Sequence, residues 1–159
     1  MKSFRLTLYF LLSFFLLGNI TTSIAQGSSC NSVDIKTKSK ELLKPGFSYD
    51  ASKTTYVTFL NKKQFKELEV PLYIGEKYKL VFNMEGLPQP LDIEVYDKKY
   101  ETKGRELLFS SREHEPENNC YSFEPGKSLR KIYIDYLIPP TVGEVSNGCI
   151  VMTLGYKIK

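Results

Sequence analysis

Few residues in this chain are equipped for covalent chemistry. The only histidine, His114, lies in the polar run Arg112-Glu113-His114-Glu115-Pro116. A serine or cysteine nucleophile needs an adjacent base, most often histidine. Carboxylates on both sides of His114 favour the protonated ring, which cannot accept a proton. His114 therefore reads as an exposed loop residue. No GxSxG elbow, phosphate-binding glycine loop, HExxH or alternating acidic calcium loop occurs, so no cofactor of the usual kinds is expected. Carboxylates are more plentiful, at 18. Within Leu91-Asp92-Ile93-Glu94-Val95-Tyr96-Asp97, Asp92 and Glu94 share one face of a strand and Asp97 ends it. Those three could offer oxygen ligands to a hard cation such as calcium, although alternating acids are also the ordinary way to keep a sheet face wet. Tyr73, Tyr96 and Tyr133 fall on the predicted wet faces of strands, where rings could centre a protein contact or stack on a sugar. The absence of Trp weakens the sugar version. Without a CxxC pair or further histidines, the cysteines do not read as a zinc site.

The elements that must carry these residues are strands. From Thr54 onward, short runs of Val, Ile, Tyr, Phe and Leu alternate with clusters of Gly, Pro, Asn and Lys. Eight strands are predicted: 54–60, 66–74, 77–83, 91–97, 105–110, 120–124, 129–138 and 148–158. In several, apolar and polar residues alternate, as in Leu68, Val70, Leu72 and Ile74 against Glu67, Glu69 and Tyr73, which gives one buried and one wet face. In the 129–138 run Ile132, Ile134, Tyr136 and Ile138 share the inner face, and Lys131, Tyr133 and Asp135 the outer. Gly75-Glu76 suits a two-residue type II′ hairpin, so the strands flanking it are expected to be antiparallel neighbours. Upstream, residues 32–44 fit a short helix with Ser32 as N-cap, stopped by Pro45-Gly46. The expected architecture is all-β with one short N-terminal helix, a single antiparallel β-sandwich of about eight strands.

Residues 1–25 have the zones of a secretory signal: Lys2 and Arg5, an apolar run from Leu6 to Leu17, and the small residues of Ser23-Ile24-Ala25. The run is shorter than the roughly 20 residues a membrane-spanning helix needs, so cleavage is favoured over a retained anchor. A lipoprotein start at Cys30 lacks the upstream leucine that such a site requires. The organisation expected is a signal peptide over 1–25, an extension with the helix over 26–53, and the sandwich over 54–159. Removing Lys2 and Arg5 takes two of 22 basic residues and none of the 18 acidic ones, so the charge falls from +4 to about +2. That near balance, with Lys and Arg interspersed, implies neither nucleic-acid binding nor a polybasic membrane patch. Cys30, Cys120 and Cys149 can pair in three ways in an oxidising compartment, leaving one thiol over.

Three segments, Lys44-Pro45-Gly46-Phe47-Ser48-Tyr49-Asp50, Leu107-Leu108-Phe109-Ser110-Ser111 and Gly148-Cys149-Ile150-Val151-Met152-Thr153-Leu154-Gly155-Tyr156-Lys157, resemble small secreted proteins of Bacteroidetes that have no assigned function. In that pattern an early Cys accompanies a late Gly-Cys, which implies a Cys30 to Cys149 disulfide and leaves Cys120 free. The segment Leu91 to Asp97 followed by a charged turn also resembles the small β-sandwich appended to secreted bacterial peptidases. That likeness implies a jelly-roll-like fold and no catalytic residues.

The function expected is therefore a non-catalytic interaction module, periplasmic or extracellular, with an envelope protein as the favoured partner. Two alternatives remain open: a hydrolase cutting an envelope polymer with two carboxylates about 5 to 10 Å apart, and a calcium-stabilised structural module.

Overall fold

The computed structural model describes residues 30–141 and 143–158; the signal peptide expected over residues 1–25 lies outside them. Helix α1 (Ser32–Glu41) is followed by eight strands: β1 (Ser48–Phe59), β2 (Gln64–Pro71), β3 (Glu76–Asn83), β4 (Asp92–Tyr96), β5 (Leu107–Ser110), β6 (Cys120–Phe123), β7 (Lys131–Ile138) and β8 (Ser146–Ile158). They form two four-stranded antiparallel sheets with the orders β1-β8-β3-β6 and β2-β7-β4-β5. The first strand pairs with the last, the second with the seventh, the third with the sixth and the fourth with the fifth. That winding of paired strands across two sheets is a jelly roll.

Alternation builds the core. Val57 and Phe59 of β1, Leu80 and Phe82 of β3, Ile93 and Val95 of β4, Ile132, Ile134, Tyr136 and Ile138 of β7, and Ile150, Met152 and Leu154 of β8 meet between the sheets. The apolar positions of the predicted runs supply these inner faces, because period-2 patterning leaves a half-buried strand little choice of register.

The helix begins one residue earlier than expected: Asn31 is the N-cap, and the Asp34 N–H donates to its Oδ1 at 3.4 Å. Beside it, a disulfide joins Cys30 to Cys149, with Cα atoms 5.6 Å apart. Around the disulfide the backbone packs closely. A Cβ on Gly86 would lie 2.8 Å from the Cys149 sulfur, and one on Gly148 would lie 2.6 Å from the Gly86 carbonyl oxygen; in turn the Cys149 N–H donates to that carbonyl at 2.9 Å. Cys120 is the free cysteine and is buried.

Two further expectations fail, and Ile74, expected on the buried face of the second strand, lies beyond β2 and is exposed. The strands flanking Gly75 are not neighbours: β2 pairs with β7 and β3 with β8 and β6, so the connection crosses between sheets. Strand β2 ends at Pro71, and the Leu72 N–H still donates to the Arg130 carbonyl at 2.8 Å before the chain leaves that sheet; a proline nitrogen facing the open edge of a sheet costs no ladder bond. Gly75 keeps its positive φ of 101°, which shows that turn chemistry sets local backbone angles without deciding whether the chain stays in its sheet. The second failure is Tyr133, which is buried rather than wet. Strand β7 is interior to its sheet, so Tyr133 is flanked by Glu69 of β2 and Tyr96 of β4, and the β4–β5 connection reaches the same face of β7 at Asp135 through Arg105.

Candidate functional site

That connection, residues 97–106, folds back over the outer face of the β2-β7-β4-β5 sheet and brings Tyr100 and Arg105 to it. The Tyr100 N–H donates to Glu67 of β2 at 2.6 Å. The Arg105 guanidinium makes a bidentate pair with Asp135 of β7, at 2.7 and 2.9 Å, and reaches Glu67 at 3.2 Å. Its Nε donates to the Lys98 carbonyl at 2.7 Å, and its plane lies 3.6 Å from the centroid of the Tyr96 ring. Asp135 is only 2% exposed, and a carboxylate that deep is tolerated when a planar guanidinium meets both its oxygens. Burial works against the charged guanidinium, but the hydrogen bonds and charge of Asp135 outweigh it and raise the Arg105 pKa.

Beside this cluster runs an open groove of about 600 Å³. Its base carries Asp92, Glu94 and Asp135, and Arg112 from the 3-10 turn after β5 leans over it. Arg112 donates to Asp92 through Nη2 at 2.7 Å and Nε at 2.9 Å, and its Nη1 lies 3.7 Å from Glu94. The Tyr96 hydroxyl donates to the other Glu94 oxygen at 2.8 Å. Burial first, then that hydrogen bond to a carboxylate, pushes the Tyr96 phenol up to about 12. At the rim, Phe65 and Tyr100 form a tilted pair with centroids 4.7 Å apart and remain exposed.

The fold thus gathers Asp92, Glu94 and Tyr96 of the sequence-derived residues and separates the rest. Asp97 is used at the far end of β4, where its carboxylate accepts the Glu106 N–H at 2.7 Å. Tyr73 is exposed in the β2–β3 connection, away from the groove lining, and Tyr133 is buried. Among the described residues no group of three or more His, Cys, Asp or Glu side chains converges as a metal centre would; Asp92 and Glu94 face a guanidinium instead. His114 is exposed, with its ring against Phe109 at 4.8 Å and Nδ1 2.9 Å from the Ser110 carbonyl oxygen.

Arg105, Arg112, Phe65 and Tyr100 were not singled out from sequence. One signal was there: arginine is rare in this lysine-rich chain, with only four of its 22 basic residues being Arg. The arginine fork, unlike the lysine ammonium, engages both oxygens of a carboxylate. No protein-family model matches the chain, and no curated protein matches it in sequence.

Proposed function

We propose that the protein is an exported, non-catalytic jelly-roll domain that works as an interaction module in the periplasm or outside the cell, and that the aromatic-rimmed groove is its contact surface. One observation carries the reading. Every carboxylate lining the groove is already engaged, Asp135 by Arg105, Asp92 by Arg112 and Glu94 by the Tyr96 phenol, whereas Phe65 and Tyr100 remain exposed at its edge. Acids already bonded to protein groups have fewer lone pairs left for a substrate or a water, while an exposed aromatic pair beside fixed polar groups suits recognition by contact. The disulfide fits an oxidising compartment, and no described helix is long and apolar enough to cross a membrane. The likeness to small secreted Bacteroidetes proteins belongs to the same reading, and an envelope protein is the partner it favours over a sugar.

The test is site-specific photocross-linking in the native envelope. A benzophenone amino acid at Phe65 or Tyr100 is expected to yield one discrete protein adduct that the same probe at exposed Val145 does not. Equal labelling from all three positions would defeat the groove as a contact surface. Release of fragments from purified envelope polymer, abolished by Asp92→Asn or Glu94→Gln, would replace the proposal with the two-carboxylate hydrolase, which the placement of both acids in one groove keeps as the second reading.

A further inference from the structure

One side of the sandwich is left open, and it lies apart from the groove. There the edge strands β1 and β2 face each other across the gap between the sheets. At one end two β2 side chains close the gap: Gln64 donates to the Thr58 carbonyl and Lys66 to the Tyr56 carbonyl. Beyond them the strands diverge into two hollows of about 400 Å³ each. Lys53 and Leu68 line both, so the hollows run end to end beside residues 50–56, a length of roughly 20 Å for extended chain.

The chemistry along this slot changes from one end to the other. On β1 the alternation that buries Phe59 and Val57 continues to Thr55 and Lys53, placing a lysine on the inner face of an edge strand. On β2 the inner positions are Val70, Leu68 and Lys66, the last opposite Tyr136 of β7 in the ladder. Glu67 and Glu69 point the other way, to Arg105 and Lys131. The first hollow is lined by Lys53, Thr55, Lys66 and Tyr136, all able to donate, and also by Leu68 and by Glu67, whose carboxylate is paired with Arg105. Deepest among them is Tyr136, which is 1% exposed and whose hydroxyl has no hydrogen-bond partner among the described residues. Thr55 is near enough to favour the phenolate slightly against the dominant effect of burial, but no hydrogen bond of ordinary geometry joins the two. Lys53 makes no ion pair among the described residues. The second hollow is largely apolar, with Leu68, Val70, Met152 and Leu154 in its lining, and Asp50, Glu69 and Tyr73 complete it.

We propose that this slot is the docking site for an extended peptide that adds a fifth strand beside β1 and directs an acidic side chain inward between Lys53 and Lys66. The carboxylate there accepts the Tyr136 hydroxyl. The next inward side chain, two residues along, is apolar and covers the second hollow, so the recognised pattern is acidic-x-apolar in a β-prone segment. Among the described strands β1 shares a ladder with β8 alone, and the Cys149 N–H, opposite Tyr56, is turned away from β1 to Gly86. Tyr56 therefore turns its backbone groups to the open edge, where its carbonyl meets Lys66, and Thr54 and Ser52, in phase with it, turn theirs to the same edge, where strand addition makes its ladder bonds. A second copy of β1 is the wrong occupant, because it would bring a second Lys53 into the same slot, and an inward charge is the device by which edge strands reject such pairing.

The test is selection of random phage-displayed dodecapeptides on the full exported chain with its disulfide intact, followed by titration with the synthetic winner. The expected winners carry the acidic-x-apolar pattern and slow amide exchange at Ser52 and Thr54. Tyr136→Phe leaves the fold intact, because the lost hydroxyl has no hydrogen-bond partner of ordinary geometry among the described residues, and weakens binding on the order of tenfold, as loss of one charge-assisted hydrogen bond does. Lys53→Glu weakens the winner at least as much and is rescued by a peptide with Lys in place of its acid. Winners without an acid, protection mapped to the groove instead of β1, full competition by acetate alone, or protein-concentration-dependent protection of Ser52 and Thr54 without peptide would each overturn the proposal. The last two outcomes would indicate a small-anion site and self-association, respectively.

Discussion

Over the β1-β8-β3-β6 sheet the outer face is covered by apolar contact: Ile35 of α1 meets Cys149 and Val151, and Leu43 just beyond the helix meets Val81 and Cys120. Over the β2-β7-β4-β5 sheet the cover is ionic and aromatic, with Arg105 lying on Tyr96 and closing over Asp135. The apolar cover is thin. Helix α1 has ten residues, buries only Ile35 and Ser39, and is otherwise lysine-rich; a helix that short does not hold its shape unaided. It is held at both ends instead, by the Cys30–Cys149 bond at its start and by Leu43, which packs against Gly155, at its finish. The ionic cover needs no tether, because one fork satisfies several acceptors at once, and its fixed directions leave a groove beside it. A covalent pin thus stabilises the face with little chemistry to offer, and the polar cluster shapes the face that offers more.

The comparison breaks first at the disulfide. Cys30→Ala opens a loop whose ends are 119 residues apart, and in the chain-entropy account this costs about 4 to 5 kcal/mol. Urea unfolding of the variant beside the oxidised protein measures it. A loss below about 1 kcal/mol would mean that α1 holds its place by packing alone. Next in size is Arg105→Met. Leaving Asp135 charged, buried and unpaired is expected to cost about 3 kcal/mol. The double variant Arg105→Met with Asp135→Leu should recover most of that loss, because two matched apolar groups replace a buried ion pair nearly neutrally. If the double variant is as unstable as the single one, the cover depends on Arg105 packing and its bonds to Glu67 and Lys98 rather than on the pair with Asp135.

These two regions were not equally legible in the sequence. The apolar alternation of β3, β4, β7 and β8 pointed to the right inner faces, since burial on one side is a local property of a strand. Strand β1 starts at Ser48, six residues before the predicted Thr54, because Ser48–Lys53 is polar and exposed beside the slot and carries no period-2 signal. Asp92, Glu94 and Tyr96 stood out because they share one strand. Arg105 did not, because its partners, Asp135 and Glu67, are 30 and 38 residues away in sequence and meet it only after the jelly roll has wound. Tyr133 is non-local in the same way: its strand shows the outer-face pattern correctly, but nothing in residues 129–138 announces that Glu69 and Tyr96 of neighbouring strands will flank it.

The smallest effect separates the two covers by pH. Burial, reinforced by the charges of Glu85 and Glu117, pushes the Cys120 thiol up to about 11 from an ordinary value of 9.0. A raised folded-state value means the folded protein holds that proton after the unfolded chain has released it. The stabilisation is therefore complete below pH 9 and is lost as the pH rises toward 11. Between pH 8 and pH 10 this thiol should remove about 1 kcal/mol of unfolding free energy, and Cys120→Ala should remove that part of the slope. Tyr96, on the other face, is raised to about 12 by burial and by Glu94, so its share begins above pH 10 and survives the cysteine substitution. Urea midpoints at pH 8, 10 and 11 for the parent, Cys120→Ala and Tyr96→Phe would separate the two. Parallel decline of parent and Cys120→Ala between pH 8 and 10 would mean that the thiol is not sealed beneath Leu43, and that the apolar cover is looser than its contacts indicate.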